Sequence, residues 1–168
     1  NMDTNRRYIA YDSVVSVNQK REVTSGAVRV ASRSTIEPDS WKYQTLDIST
    51  DDALIFGFDV ALSPTPKGVF ATWLAASAAT TPKPNQVRWA LLKNSTKIYR
   101  VTTENFGTPG KYLATDGKTI IFNCQDRLCA IDTTRKDLNQ SAIRLVSSTQ
   151  GSDPIQSAWV TLNKVKYL

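Results

Sequence analysis

Apolar and polar positions in this chain alternate with a period of two, or gather into short apolar runs closed by turn residues. Tyr8 to Val17 predicts a first strand, with apolar side chains at Ile9, Tyr11, Val14, Val15 and Val17. Ala27 to Ala31 predicts a second, Val28 and Val30 alternating against Arg29, and Trp41 to Ile48 alternates more loosely. Ala53 to Leu62 is a strongly apolar run, stopped by Ser63-Pro64-Thr65-Pro66, which no central strand should contain. Val69 to Ser77 follows, then a proline-bearing turn over Thr81-Pro82-Lys83-Pro84-Asn85.

Beyond that turn, Val87, Trp89 and Leu91 share one strand face while Arg88 points the other way. Lys93-Asn94-Ser95-Thr96 turns the chain into an alternating strand from Ile98 to Thr103. Lys111 to Thr115 meets Lys118 to Asn123 around Asp116-Gly117, a strong hairpin signal in which both turn positions take positive φ. Cys124 and Cys129 bracket Gln125-Asp126-Arg127-Leu128 as another tight hairpin, and Ala142 to Ser147 and Ala158 to Tyr167 close the chain. Thr134 to Gln140 makes at most a turn or two of helix. About ten to twelve short strands at roughly 8–12-residue spacing predict an all-β sandwich or barrel. No exact internal repeat favours a propeller or trefoil. With no sharp shift in composition, residues 1–168 are expected to form one β domain, 1–34 as N-terminal strands or an arm and 35–168 as the core.

Composition strengthens the β assignment. The 168 residues include only three Glu against twelve Asp, and 34 Ser and Thr together. Glu favours helices, whereas Asp, Ser and Thr favour caps, turns and, for Thr, strands. No apolar run approaches the ~20 residues of a spanning helix, Ala71 to Ala79 being the longest candidate, and the N-terminal residues lack the order of a signal peptide.

The chain contains no histidine, which removes Ser-His-Asp and Cys-His catalysis, His-ligated zinc and a histidine pH switch. Two cysteines cannot make a four-thiolate metal site, and no glycine loop suits a phosphate, so no cofactor is expected. Asp51-Asp52, Asp59, Asp116, Asp126 and Asp132 could supply a glycosidase pair, but no spacing selects two of them. The expectation is therefore a protein that is not an enzyme. A net charge of +6 would suit an anionic partner. The basic residues are scattered, however, the densest pairs being Arg6-Arg7 and Lys20-Arg21, so neither nucleic acid nor membrane insertion is expected.

Cys124 and Cys129 form a C-x4-C pair that can bridge if the two face each other across the hairpin. A loop that small contributes only about 2 kcal/mol, and two reduced thiols are the alternative. Asn94-Ser95-Thr96 and Asn139-Gln140-Ser141 are glycosylation sequons. Trp41, Trp73, Trp89 and Trp159 are four large aromatics in a small β protein, suited to core packing or to stacking on the apolar face of a sugar. Trp73 and Trp89 are the candidate sugar platforms, with Arg88, Asn123, Gln125, Arg127 and Arg135 as donors to hydroxyls or a carboxylate.

From about Thr35 onward the pattern resembles the glycan-binding head of the rotavirus spike protein, a galectin-like sandwich of two antiparallel sheets. The residues carrying it are Thr35-Ile36-Glu37-Pro38, Phe70-Ala71-Thr72-Trp73-Leu74-Ala75, the turn 81–85 leading into Gln86-Val87-Arg88-Trp89, Asp116-Gly117-Lys118-Thr119-Ile120-Ile121-Phe122, and Asp132-Thr133-Thr134. Heads that bind terminal sialic acid place an arginine just before the aromatic of the early strand, whereas Phe70 follows Gly68 and Val69 here. The resemblance implies a virion-surface module of the outer capsid, monomeric in isolation, joined to the rest of a spike and attaching to host-cell glycans. Its groove would lie between the sheets or beside the loop after Cys129. The alternatives are a secreted β-trefoil or β-sandwich effector or lectin with a protein partner, and a jelly-roll coat subunit whose basic N-terminus contacts RNA.

Overall fold

The computed structural model describes residues 6–21, 23–34, 40–48, 55–76, 85–92, 97–102, 109–124, 127–135, 143–145, 160–162 and 165–167. Among them every regular element is a β-strand, and the strands pair antiparallel. An N-terminal sheet holds β1 (Arg6–Val17), β2 (Val23–Ser34) and β3 (Trp41–Ile48), with β2 in the middle. A central sheet holds β4 (Ile55–Thr65), β5 (Gly68–Ala76), β6 (Gln86–Leu92) and β7 (Ile98–Thr102). A C-terminal sheet holds β8 (Pro109–Thr115), β9 (Thr119–Cys124), β10 (Arg127–Asp132) and β11 (Ile143–Leu145). Strands follow one another in order within each sheet, a meander and not the Greek key of a jelly roll.

Alternation along β5 explains the layering. Phe70 and Leu74 pack with Val87 and Trp89 of β6 against Ile120, Phe122, Cys129 and Ile131 of the C-terminal sheet. Ala71, Trp73 and Ala75 point the opposite way and pack against Val28, Val30 and Leu46 of the N-terminal sheet. The central and C-terminal sheets thus form a β-sandwich, and the N-terminal sheet adds a third layer. With both faces covered, residues 69–75 are all buried, so β5 reads as a continuous apolar run and not as a half-exposed alternation. The edge strand β4 runs close to β1, β2 and β8.

Several expected details differ. Pro64 does not stop β4, which continues to Thr65 with Pro64 opposite Val69; the strand lies at the sheet edge, where a missing N–H breaks no ladder. The Asp116-Gly117 turn sits one residue later than expected. Asp116 donates its backbone N–H to the Thr119 carbonyl, leaving Gly117 and Lys118 at the centre, and Gly117 alone takes a positive φ, +86°. The Asp116 carboxylate substitutes for the second positive-φ residue by accepting the N–H groups of Lys118 and Thr119, at 2.9 and 2.7 Å. The run expected as one closing strand is a hairpin of β12 (Val160–Leu162) and β13 (Val165–Tyr167).

The cysteines are not directly opposite. Cys129 pairs with Phe122 and Cys124 with Arg127, a diagonal relation across the hairpin. Cys129 is buried and disulfide-bonded, and Cys124 is the chain's one other cysteine. Both sequons, the turn 81–84, Thr35-Ile36-Glu37-Pro38 and most of the expected helical turn lie outside the described residues, as do Asp51, Asp52 and Asp126.

Candidate functional site

A groove of about 980 Å³ opens at one end of the sandwich, between the central and C-terminal sheets. Its base is aromatic and aliphatic: Phe70 from β5, Trp89 and Leu91 from β6, and Tyr99 from β7. Residues 89 and 91 share a face by strand alternation, and Tyr99 is the register partner of Trp89. The two rings stack 6.0 Å apart between centroids, tilted by 15°. Trp89 is almost fully buried, whereas Tyr99 on the edge strand is 37% exposed. Tyr99 therefore offers the accessible aromatic surface, with the Lys97 ammonium 5.0 Å from its centroid.

Three turns form the rim. In the first, Thr65 donates its hydroxyl to the Gly68 carbonyl at 2.8 Å and accepts the Lys67 N–H at 3.3 Å, fixing Pro66 and Lys67 at the lip. The second is the Asp116–Thr119 turn. The third follows β10, where Asp132 Oδ1 accepts the backbone N–H and the hydroxyl of Thr134, at 3.0 and 2.6 Å. Thr133 joins the last two turns, donating both its N–H and its hydroxyl to the Lys118 carbonyl, at 2.9 and 2.7 Å. Among the described residues the rim carries Lys67, Lys118 and Arg135 against one carboxylate, Asp116. Their sum is net positive, over an apolar base and donor-rich edges.

The rim turns also touch one another at Gly117. A Cβ there would collide with Thr65 Cγ2, and the φ of +86° is unfavourable for any other residue. Gly117→Ala is expected to lose about 1–3 kcal/mol, read as a lower urea midpoint. Adding Thr65→Ser removes the colliding methyl, so the double variant should regain part of the loss but not the share due to φ.

Of the seven residues singled out as sugar contacts, the groove gathers two, Trp89 and Arg135. Trp73 and Arg88 lie buried on the opposite face of the central sheet. The Trp73 indole N–H donates to Asp47 Oδ2 at 3.1 Å, and Arg88 donates to the same oxygen at 2.7 Å and to Gln86 Oε1 at 2.9 Å. They join β5 and β6 to β3, and neither faces the groove. Asn123 is buried on the outer face of the C-terminal sheet, beside Leu128 in register; its Oδ1 has no hydrogen-bond partner among the described residues. Gln125 lies outside the described residues. Arg127 is placed as a strand position opposite Cys124, with its side chain outside them.

Tyr99, Phe70, Lys67 and Lys118 were not foreseen as contacts. Tyr99 could have been found, since an alternating strand returning beside Val87-Arg88-Trp89 sets some aromatic or aliphatic side chain next to Trp89. Among the described residues, no group of His, Cys, Asp and Glu could hold a metal ion. No family model matches this chain, no curated protein matches its sequence, and no solved structure matches its fold.

Proposed function

We propose that this chain is a non-enzymatic carbohydrate-binding module whose ligand lies in the groove over Tyr99. The observation that carries the reading is the exposed Tyr99 ring, backed by the buried Trp89 stacked on it, at the base of a polar-rimmed groove. The apolar face of a pyranose ring stacks on such a surface while its edge hydroxyls reach donors and acceptors around it. Thr133, Thr134, Lys67, Lys118 and Arg135 supply those edges. Catalysis is the weaker reading, because glycoside hydrolysis needs two carboxylates flanking the bond and the lining contains one among the described residues. That carboxylate, Asp116, already accepts two backbone N–H groups through Oδ1.

The biological setting rests on the resemblance to rotavirus spike heads: a galectin-like module of the outer capsid that attaches a virion to host-cell glycans. The position of the groove, beside the loop after Cys129, agrees with that reading.

Multivalent presentation of the domain on a glycan panel tests the proposal, since multivalency offsets weak single-site affinity. A related set of glycans should bind, and Tyr99→Ala and Arg135→Ala should each weaken binding roughly tenfold, a change of about 1.4 kcal/mol. Both side chains are exposed, so stability should stay within about 0.5 kcal/mol for Arg135→Ala. A panel that binds nothing, or binding indifferent to both substitutions, would move the function to a protein partner.

A further inference from the structure

The outer face of the N-terminal sheet carries a second, independent surface. Arg7 is far from Arg29 and Arg33 in sequence, but the register makes it the partner of Arg33, and Arg29 sits four residues, or two same-face rows, along the central strand β2. Across β2 from them lie aromatic residues. Arg33 pairs with Trp41, Ala31 with both Ile9 and Tyr43, and Arg29 with Tyr11. Opposite alternation sends Tyr8, Ala10, Val28 and Val30 inward to the core, so Arg29, Arg33, Trp41 and Tyr43 face away from the other two layers. Tyr43 is 68% exposed and Ile9 52%, and the Arg33 guanidinium lies 5.1 Å from the Trp41 ring centroid. Arg29 Nε is shielded from water and has no hydrogen-bond partner among the described residues. The three register rows from Arg7 to Tyr11 contain no carboxylate.

We propose that this face binds single-stranded nucleic acid, with bases stacking on Tyr43 and its aromatic neighbours and phosphates meeting the arginines. Three observations select that occupant. A row of arginines with no acid among them complements a polyanion. Aromatic rings held between the arginines suit planar bases, which a sulfated polysaccharide lacks. A second copy of the chain fits poorly, because a two-fold contact of this face would bring two sets of arginines into one interface with no carboxylate in these rows to offset them. Scatter along the sequence argues against a nucleic-acid partner; sheet register removes that objection.

Anisotropy of a fluorescent oligouridine titrated with the whole chain tests this, alongside a duplex RNA of equal length and heparin as competitor. The oligouridine should bind at low salt and more tightly than the duplex. Tyr43→Ala should weaken it roughly five- to a hundredfold, with Tyr43→Phe close to the parent. Arg33→Gln should lessen the slope of log affinity against log salt by about 0.7. Arg135→Ala, in the groove, should leave oligouridine binding unchanged. Absence of binding at low salt overturns the proposal. So does equal affinity for duplex with no effect of Tyr43→Ala, which is charge attraction alone. Self-association lost in Tyr43→Ala, or heparin binding with the same Tyr43 dependence, would also overturn it in favour of those occupants.

Discussion

Asp47→Ala lowers the stability of the folded chain by about 3–5 kcal/mol, the range for removing one partner from a buried ion pair. The Arg88 guanidinium and Asp47 carboxylate are 2.7 Å apart with side chains 9% and 11% exposed. Without Asp47, the arginine keeps Gln86 but loses the carboxylate 2.7 Å from it in a site that water hardly reaches. The Trp73 N–H loses its acceptor in the same step. At roughly 2–4 °C per kcal/mol for a chain of this size, the melting temperature should fall by about 6–20 °C. Asp47→Leu combined with Arg88→Met removes both charges and should recover most of the loss, since apolar replacement of a buried pair is often neutral or better. It should not recover all, because a buried indole N–H without a partner costs about 1–3 kcal/mol. Urea denaturation of the parent, single and double variants decides the matter. A single-variant loss below about 1 kcal/mol would mean that the network is solvated and does not fasten the N-terminal sheet.

The geometry behind that result is a β-bulge. Pairing shifts between Val28 and Arg29, so that Val28 faces Asp47 while Arg29 faces Thr45. The extra residue lets Leu46 join the buried cluster and also brings the adjacent Asp47 onto Trp73 and Arg88. A bulge that re-aims one side chain in this way is a recurring device of antiparallel sheets. Here it holds the N-terminal layer to the sandwich, and so supports the arginine and aromatic face on the far side of that layer.

How much of this was legible beforehand follows the range of the interactions involved. Trp41 to Ile48 has the bounds expected from alternation, β5 begins one residue before the expected Val69, and β6 contains Val87, Trp89 and Leu91 as expected. Local pattern and turn chemistry decide such elements. Pro64 was misjudged because its tolerance depends on β4 being an edge strand, a property of the sheet. Trp73 and Arg88 look like a platform and a donor on an isolated strand. Their burial comes from a third layer that the two-sheet expectation lacked. Asp47 carried no signal, since only the bulge gives it a role. The groove is half legible for the same reason: Trp89, Arg135 and the turn at 116–119 stand out in sequence, whereas Tyr99 and Lys67 join them only when the two sheets and their turns come together. Charge shows the gap most clearly, because Arg29 and Arg33 cluster with Arg7 through register and not through sequence.

Phe122→Ala should be the most damaging truncation of the sandwich core, again by about 3–5 kcal/mol. Phe122 is fully buried and belongs to the cluster that joins Phe70, Leu74 and Trp89 of the central sheet to Ile120, Cys129 and Ile131 of the C-terminal sheet. Its neighbours cannot collapse into the space. Cys129, its register partner, is held by a disulfide, and Trp89 is stacked on Tyr99. The cost should therefore lie near the upper end, where a cavity persists, and Phe122→Leu should lose clearly less. A cavity in the cluster that holds Trp89 would also loosen the base of the groove, so on the proposed glycan-binding reading affinity should fall further than the folded fraction explains. Calorimetry and glycan binding measured at a temperature where the variant is fully folded separate the two effects. A loss under about 1.5 kcal/mol would show that the two sheets do not close over Phe122, and the layered packing that forms the groove would have to be redrawn.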